Sequence, residues 1–295
     1  MCLLLLYVVP NPLDKDDYLV ILASNRDEFL DRPSSCCHFW EKDPDIIGGM
    51  DLEEGKEGGT WLAMNTEGKI SHILNIIKPL KSTTAVRKRS RGFLVVDYLK
   101  SRLDGPTFLY NLQKESNVYD DFTMITVDIR PTLRKVKACY YTNSGKQIPI
   151  VLPSGCHVFG NCVPSHPWEK LGAAKKKFAE VLHRHGKITS KESLIQDLFE
   201  MLKDDTQYGP DEQLISDAEG RTEETLRQLS SIFVKDMDSW YGTRTHTVII
   251  VDRDGNVDYI EKTMQEPITI SREPSWITTR MYFTMKEQYM INSHL

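Results

Sequence analysis

The sequence has no Cys-x-x-Cys pair. Its six cysteines, Cys2, Cys36, Cys37, Cys139, Cys156 and Cys162, are scattered and suit a reducing compartment better than a disulfide framework. Cys36, Cys37 and His38 are the one cluster with ligand chemistry. Adjacent cysteines do not build a tetrahedral zinc site without partners elsewhere, so no metal is expected. No apolar run approaches the ~20 residues that cross a bilayer. The first run, residues 3–9, is too short for a typical signal-peptide core, and no basic residue precedes it. No glycine fingerprint of a dinucleotide site or P-loop occurs. Positive charge is not in excess either: the formal net charge of −5 gives no reason to expect nucleic-acid affinity. A cytoplasmic chain is expected. Without a long linker, repeat or low-complexity segment, residues 1–295 read as one domain.

What is present concentrates in residues 1–28. Residues 3–9 and 18–23 are short apolar runs separated by Pro10, Asn11 and Pro12, the pattern of an antiparallel hairpin. A loop centred near Leu13 and Asp14 sets Cys2 opposite Asn25, with Arg26 and Asp27 just beyond the strand end. Initiator Met is usually trimmed ahead of a small residue, so Cys2 is expected to become the free N-terminus. Its thiol and an α-amine would then share one residue. The amine titrates near ~7.7–8.0 and accepts a proton at neutral pH. A nucleophile with its own base is the logic of N-terminal-nucleophile hydrolases. Taken alone, Cys2 also reads as a small apolar residue opening a buried strand. Arg26 and Asp27 favour the chemical reading, because Arg lowers a thiol pKa and Asp orients both amine and Arg.

Further along, residues 51–59 form an acidic, Gly-rich loop. It feeds a strand over residues 60–64, paired with residues 70–77, and makes Thr60 and Trp61 candidates for a pocket wall. Residues 78–91 are the most basic stretch. Arg87, Arg89 and Arg91 precede an expected helix whose stripe is Phe93, Val96, Leu99 and Leu103. Cations at a helix N-terminus suit a phosphate or carboxylate, although a solvated basic loop has the same composition. Strands are expected over residues 122–129, Lys135–Thr142 and 157–161. Asn161 then stands before a helix capped by Ser165, where its amide either donates to an oxyanion or closes an Asx turn. A second helix is capped by Ser190, and residues 203–220 read as a mobile acidic loop. Arg244 enters a buried strand and suits a substrate carboxylate or a structural ion pair. His246 is a weaker candidate for haem or a metal. Paired strands, then helices, then strands indicate an α+β fold.

Met1-Cys2, Asn25-Arg26-Asp27-Glu28, residues 55–62 (Gly-Lys-Glu-Gly-Gly-Thr-Trp-Leu) and Tyr241-Gly242-Thr243-Arg244-Thr245 occur in that order. Together they resemble the NRDE family, and within it the transport and Golgi organisation protein 2 branch, over nearly the whole chain. The resemblance implies a four-layer αββα sandwich like that of N-terminal-nucleophile hydrolases, with Cys2 between two antiparallel sheets. It also implies a role in haem trafficking, lipid homeostasis and secretory-pathway organisation, and hence mitochondrial and Golgi association.

Two functions follow. In the first, the chain is a carrier for haem or acyl-coenzyme A. Asn25, Thr60, Trp61, Arg87, Arg89 and Arg91 would hold the ligand, contact with organelle membranes would be transient, and haem would be cargo rather than a required cofactor. In the second, it is an N-terminal-cysteine amidohydrolase or thioesterase. Cys2 attacks, Asn161 holds the oxyanion, Arg26 and Asp27 order the nucleophile, and Arg244 grips substrate.

Overall fold

Nearly every side chain of β1 (Leu3–Val8) and β2 (Tyr18–Phe29) is buried, so the sheet they begin is covered on both faces. The structure, a computed structural model, describes residues 2–286 other than 11, 13, 15, 83–87, 146 and 269–273. β1 and β2 form the expected antiparallel hairpin, one residue out of the expected register: Leu3, not Cys2, faces Asn25. Side chains alternate along a strand, so this step exchanges the faces that Asn25 and Arg26 present.

Seven consecutive strands build the second sheet. They are β3 (Ser34–Phe39), β4 (Ile46–Asp51), β5 (Leu62–Asn65), β6 (Lys69–Asn75), β7 (Phe122–Arg130), β8 (Lys135–Thr142) and β9 (Ile150–Val151), paired in chain order as an antiparallel meander. Helices α1 (Gly92–Lys100) and α2 (Gly105–Glu115) lie between β6 and β7. The chain returns to the first sheet as β10 (Gly155–Phe159), which pairs with β1. Then come α3 (Glu169–His185), α4 (Lys191–Leu202), α5 (Glu212–Asp217) and α6 (Glu223–Leu229). β11 (Lys235–Asp236), β12 (Tyr241–Asp252), β13 (Asn256–Met264) and β14 (Trp276–Thr284) complete the order β10-β1-β2-β12-β13-β14, with β11 beside the start of β12.

Three apolar cores separate four layers. Leu3, Leu5, Ile21 and Val248 face Phe178, Leu194 and Leu198 of α3 and α4. Leu4, Leu6, Leu22 and Ile249 meet Leu62, Ile70 and Val127 between the sheets. Ala63, Ile73 and Met124 cover Leu94, Val95, Tyr98 and Leu109 of α1 and α2. The fold is therefore the expected α+β, four-layer αββα sandwich. Among the described residues, no helix is long and apolar enough to cross a membrane.

Several local expectations are corrected. The buried stripe of α1 is Leu94, Val95, Tyr98 and Leu99, and Phe93 is exposed. Phe93 lines a cavity instead of the core. Ser165 does not cap α3; the carboxylate of Asp211, distant in sequence, accepts from Glu169 N at 2.8 Å. Ser190 caps nothing through its side chain; its hydroxyl donates back to the carbonyls of His185 and Lys187. Part of residues 203–220 is α5, capped by the other oxygen of Asp211.

Lys69 shows how tightly the second sheet holds α1. Its buried ammonium donates to the carbonyls of Tyr98 at 3.3 Å, Ser101 at 2.7 Å and Leu103 at 2.6 Å. These lie at and beyond the helix C-terminus, where carbonyls lack intrahelical partners. Lys69→Met takes this donor from all three, and among the described residues only the Tyr98 carbonyl keeps others, from Ser101 N and Oγ. The expected loss is about 2 kcal/mol, read as a lower urea midpoint with unchanged slope.

Candidate functional site

A cavity of about 1210 Å³ opens where β1 begins and β2 ends. Cys2 lines it, half-buried, with Sγ 3.7 Å from the Asp27 carbonyl. The Tyr241 hydroxyl donates to the same carbonyl at 2.9 Å. Burial pushes the Cys2 thiol pKa up, and the carboxylates of Asp27 and Glu28 act in the same direction.

Arg26 shares the cavity because the observed register turns it there. Its guanidinium is buried, lies 4.0 Å over the Trp61 ring, donates to Ser34 Oγ at 3.2 Å and approaches Glu28 at 3.9 Å. Burial lowers its pKa. Trp61 fits beneath because Gly49 lacks a side chain: a Cβ there would come within 2.6 Å of the indole. Thr60 anchors the same wall by donating to the Gly49 carbonyl at 2.7 Å. Asp27 accepts from Thr243 Oγ1 at 2.6 Å, and that oxygen accepts from Val234 N at 2.9 Å.

Asn161 also lines the cavity. Its Nδ2 donates to the Asn75 carbonyl at 2.5 Å, and among the described residues its Oδ1 has no partner. One N–H of that amide is therefore engaged, and a second remains for an oxyanion. Lys88, Arg89, Arg91 and Arg221 also line the cavity, as do the carboxylates Asp51, Glu54, Asp97 and Asp120. Arg91 occupies the N-cap position of α1 and donates to the Asp121 carbonyl at 2.8 Å. Burial lowers its pKa. Arg87 lies outside the described residues.

Three expected residues are elsewhere. Asn25 faces the helix layer, where Nδ2 donates to the carbonyls of Leu202 and Ile232, each at 2.9 Å. The one-residue register step puts it on the face of Leu3, away from any ligand in the cavity. Arg244 does not line the cavity either. A β-bulge between Thr243 and Thr245 takes it out of the ladder with β2. Buried, it binds the carbonyls of Phe29 and Arg32 and pairs with Glu266 at 2.5 Å. It holds the β2–β3 connection and is not placed to grip substrate. His246 is buried against Asn25 Oδ1 at 2.6 Å, its ring stacked on both Phe233 and Trp276, and burial pushes its pKa down to about 3. Among the described residues, no group of three or more His, Cys, Asp or Glu side chains is placed to hold a metal.

The family described as Transport and Golgi organisation 2 matches residues 1–266. The chain belongs to that family. The membership suggested by the four motifs is thereby shown. The Bos taurus Transport and Golgi organization protein 2 homolog is 34% identical over 287 residues, covering 97% of this chain and 100% of the relative. The Homo sapiens homolog is 35% identical over 287 residues with the same coverage. Among solved structures, the Caenorhabditis elegans ortholog of N-acylethanolamine-hydrolyzing acid amidase aligns with a TM-score of 0.43 and 10% identity, covering 86% of this chain and 93% of that one.

Against this family background, the residue that sequence reasoning passed over is Tyr241. It opens the fourth motif, lines the cavity and shares the Asp27 carbonyl with Cys2. Its place in that motif was the available signal.

Proposed function

We propose that this member of the Transport and Golgi organisation 2 family carries an amphipathic anion in its cavity. Haem is the first such cargo and a fatty acyl-coenzyme A the second. The supporting observation is the build of the cavity. Its volume of about 1210 Å³ exceeds the ~300–1,000 Å³ of ordinary small-molecule sites. Trp61, Ile73, Ile77 and Phe93 offer apolar contacts, and Lys88, Arg89, Arg91 and Arg221, set among the acidic lining residues, offer cations suited to carboxylates or phosphates. No histidine is among the described lining residues, so Cys2, Tyr119 and Tyr241 are the side chains there able to ligate a haem iron. The carrier would work in the cytoplasm with transient contacts at mitochondrial and Golgi membranes. That would tie it to lipid homeostasis and to the transport and Golgi organisation in its relatives' names.

Haem titration of the purified protein, followed by absorbance, tests this. Saturable one-to-one binding at micromolar or tighter affinity is expected. Arg89→Ala with Arg91→Ala should weaken it about tenfold, the cost of ~1.4 kcal/mol of lost anion contacts. Weak, unsaturable association indifferent to that double variant would sink the reading.

A second reading rests on the place of Cys2. In it, Sγ attacks an amide or thioester carbonyl and its proton passes to the α-amine of Cys2. The amine returns the proton to the departing nitrogen or sulfur as the C–N or C–S bond breaks. Water then cleaves the acyl thioester left on Cys2. The raised thiol pKa makes the built-in amine base necessary. The free N–H of Asn161 would meet the oxyanion.

A further inference from the structure

Arg26 is bonded more loosely than its burial demands. The residue is 4% exposed, and a guanidinium removed from water ordinarily has close acceptors. The Trp61 ring covers one face, 4.0 Å from the guanidinium carbon. Nη1 donates to the neutral hydroxyl of Ser34 at 3.2 Å. Among the described residues, Nη2 has no acceptor within hydrogen-bond distance, and the carboxylate it approaches, that of Glu28, stays 3.9 Å away.

Glu28 is kept at that distance by the end of its own strand. Its Oε1 accepts from Phe29 N at 3.0 Å, and its Oε2 lies 3.7 Å from Arg32 Nε. Arg32 is already committed to Asp51 through bonds of 3.2 and 2.6 Å. Charge-assisted hydrogen bonds close to about 2.7–2.9 Å, so Oε2 faces two guanidinium groups and is bonded to neither. Arg26, Glu28, Arg32 and Asp51 all line the cavity.

We infer that Arg26 is a carboxylate subsite of the cavity and that Glu28 is its specificity-determining residue, an internal anion that a cargo carboxylate displaces. The inference rests on the carrier reading above. Arg89 and Arg91 answer one acidic group of the cargo, and Arg26 answers a second. With the indole against its face, the guanidinium offers its edge, the side from which it recognises carboxylates. Glu28 supplies a like charge beside that edge. Cargo therefore binds less tightly than Arg26 alone would hold it, and it leaves faster, as handing on a ligand requires.

Haem and haem dimethyl ester, whose propionates are neutral, are titrated into the full chain and followed by absorbance. Glu28→Gln keeps an acceptor for Phe29 N and loses the charge. It should bind haem about tenfold more tightly than the parent chain and the ester within about threefold of it. Arg26→Gln should weaken haem about tenfold and spare the ester, and it carries the test if the Glu28 variant does not fold. The ester separates a lost anion contact from a distorted cavity, which would move both ligands. Haem affinity that is unchanged or moves the other way in either variant, or an equal shift of both ligands, overturns the subsite and leaves the carrier standing. A parent chain that does not bind haem saturably overturns both.

Discussion

Cys2→Ala should abolish acyl transfer and leave ligand capture nearly intact. Removing a nucleophile typically costs ~10⁴–10⁶-fold in turnover, so hydrolysis of an N-acyl amide or acyl-coenzyme A should fall to background. The apolar wall at Trp61 and the cations at Arg89 and Arg91 remain in the variant. Binding of haem or an acyl-coenzyme A should therefore change by less than about threefold, unless the thiol itself ligates the iron. Intact mass completes the measurement. A parent chain lacking Met1 that gains an acyl group at Cys2 places hydrolysis first. A processed Cys2 that never acylates leaves the carrier.

The second large effect concerns stability. Glu261 is buried between the sheets, accepting from Cys37 N at 2.7 Å and Thr263 Oγ1 at 3.0 Å. Its other oxygen has no partner among the described residues. Burial raises its pKa from 4.5 to about 7, against the weaker pull of those donors and Arg26. The folded chain thus keeps a proton that the unfolded chain releases once pH passes ~4.5. That stabilisation is complete below ~4.5 and is lost as pH rises through ~7, by about 3 kcal/mol in all. Glu261→Gln keeps the acceptor oxygen and removes the charge. It should exceed the parent chain by about 3 kcal/mol at pH 8 and by less than about 1 kcal/mol at pH 5, measured by urea titration at both. A constant difference across that range would mean that Glu261 titrates normally.

Strand content was largely legible in the sequence. Lys135–Thr142 lies as expected, because a run that opens in alternation and is rich in β-formers between turn signals leaves few alternatives. The site was legible where it depended on residue type and order, as with Cys2, Arg26 and Asp27. It was not legible where it depended on parity. A loop centre misplaced by half a residue put Asn25 with Cys2, when Arg26 shares that face. The bulge that removes Arg244 from the ladder had one signal, the adjacent Gly242, which does not say which residue leaves the ladder. Asp211 reads as one more acid in a polar stretch, because the helix it caps begins forty-two positions earlier. Long-range capping of that kind has no local signature.

β1 is not an edge strand: β10 flanks it on one side and β2 on the other. Its first described residue, Cys2, already lines the cavity. An affinity tag fused ahead of Cys2 would consequently be joined at the cavity wall and would turn the α-amine that the hydrolase reading requires into an amide. Protein prepared that way should show no acyl transfer even where a chain with a free Cys2 does.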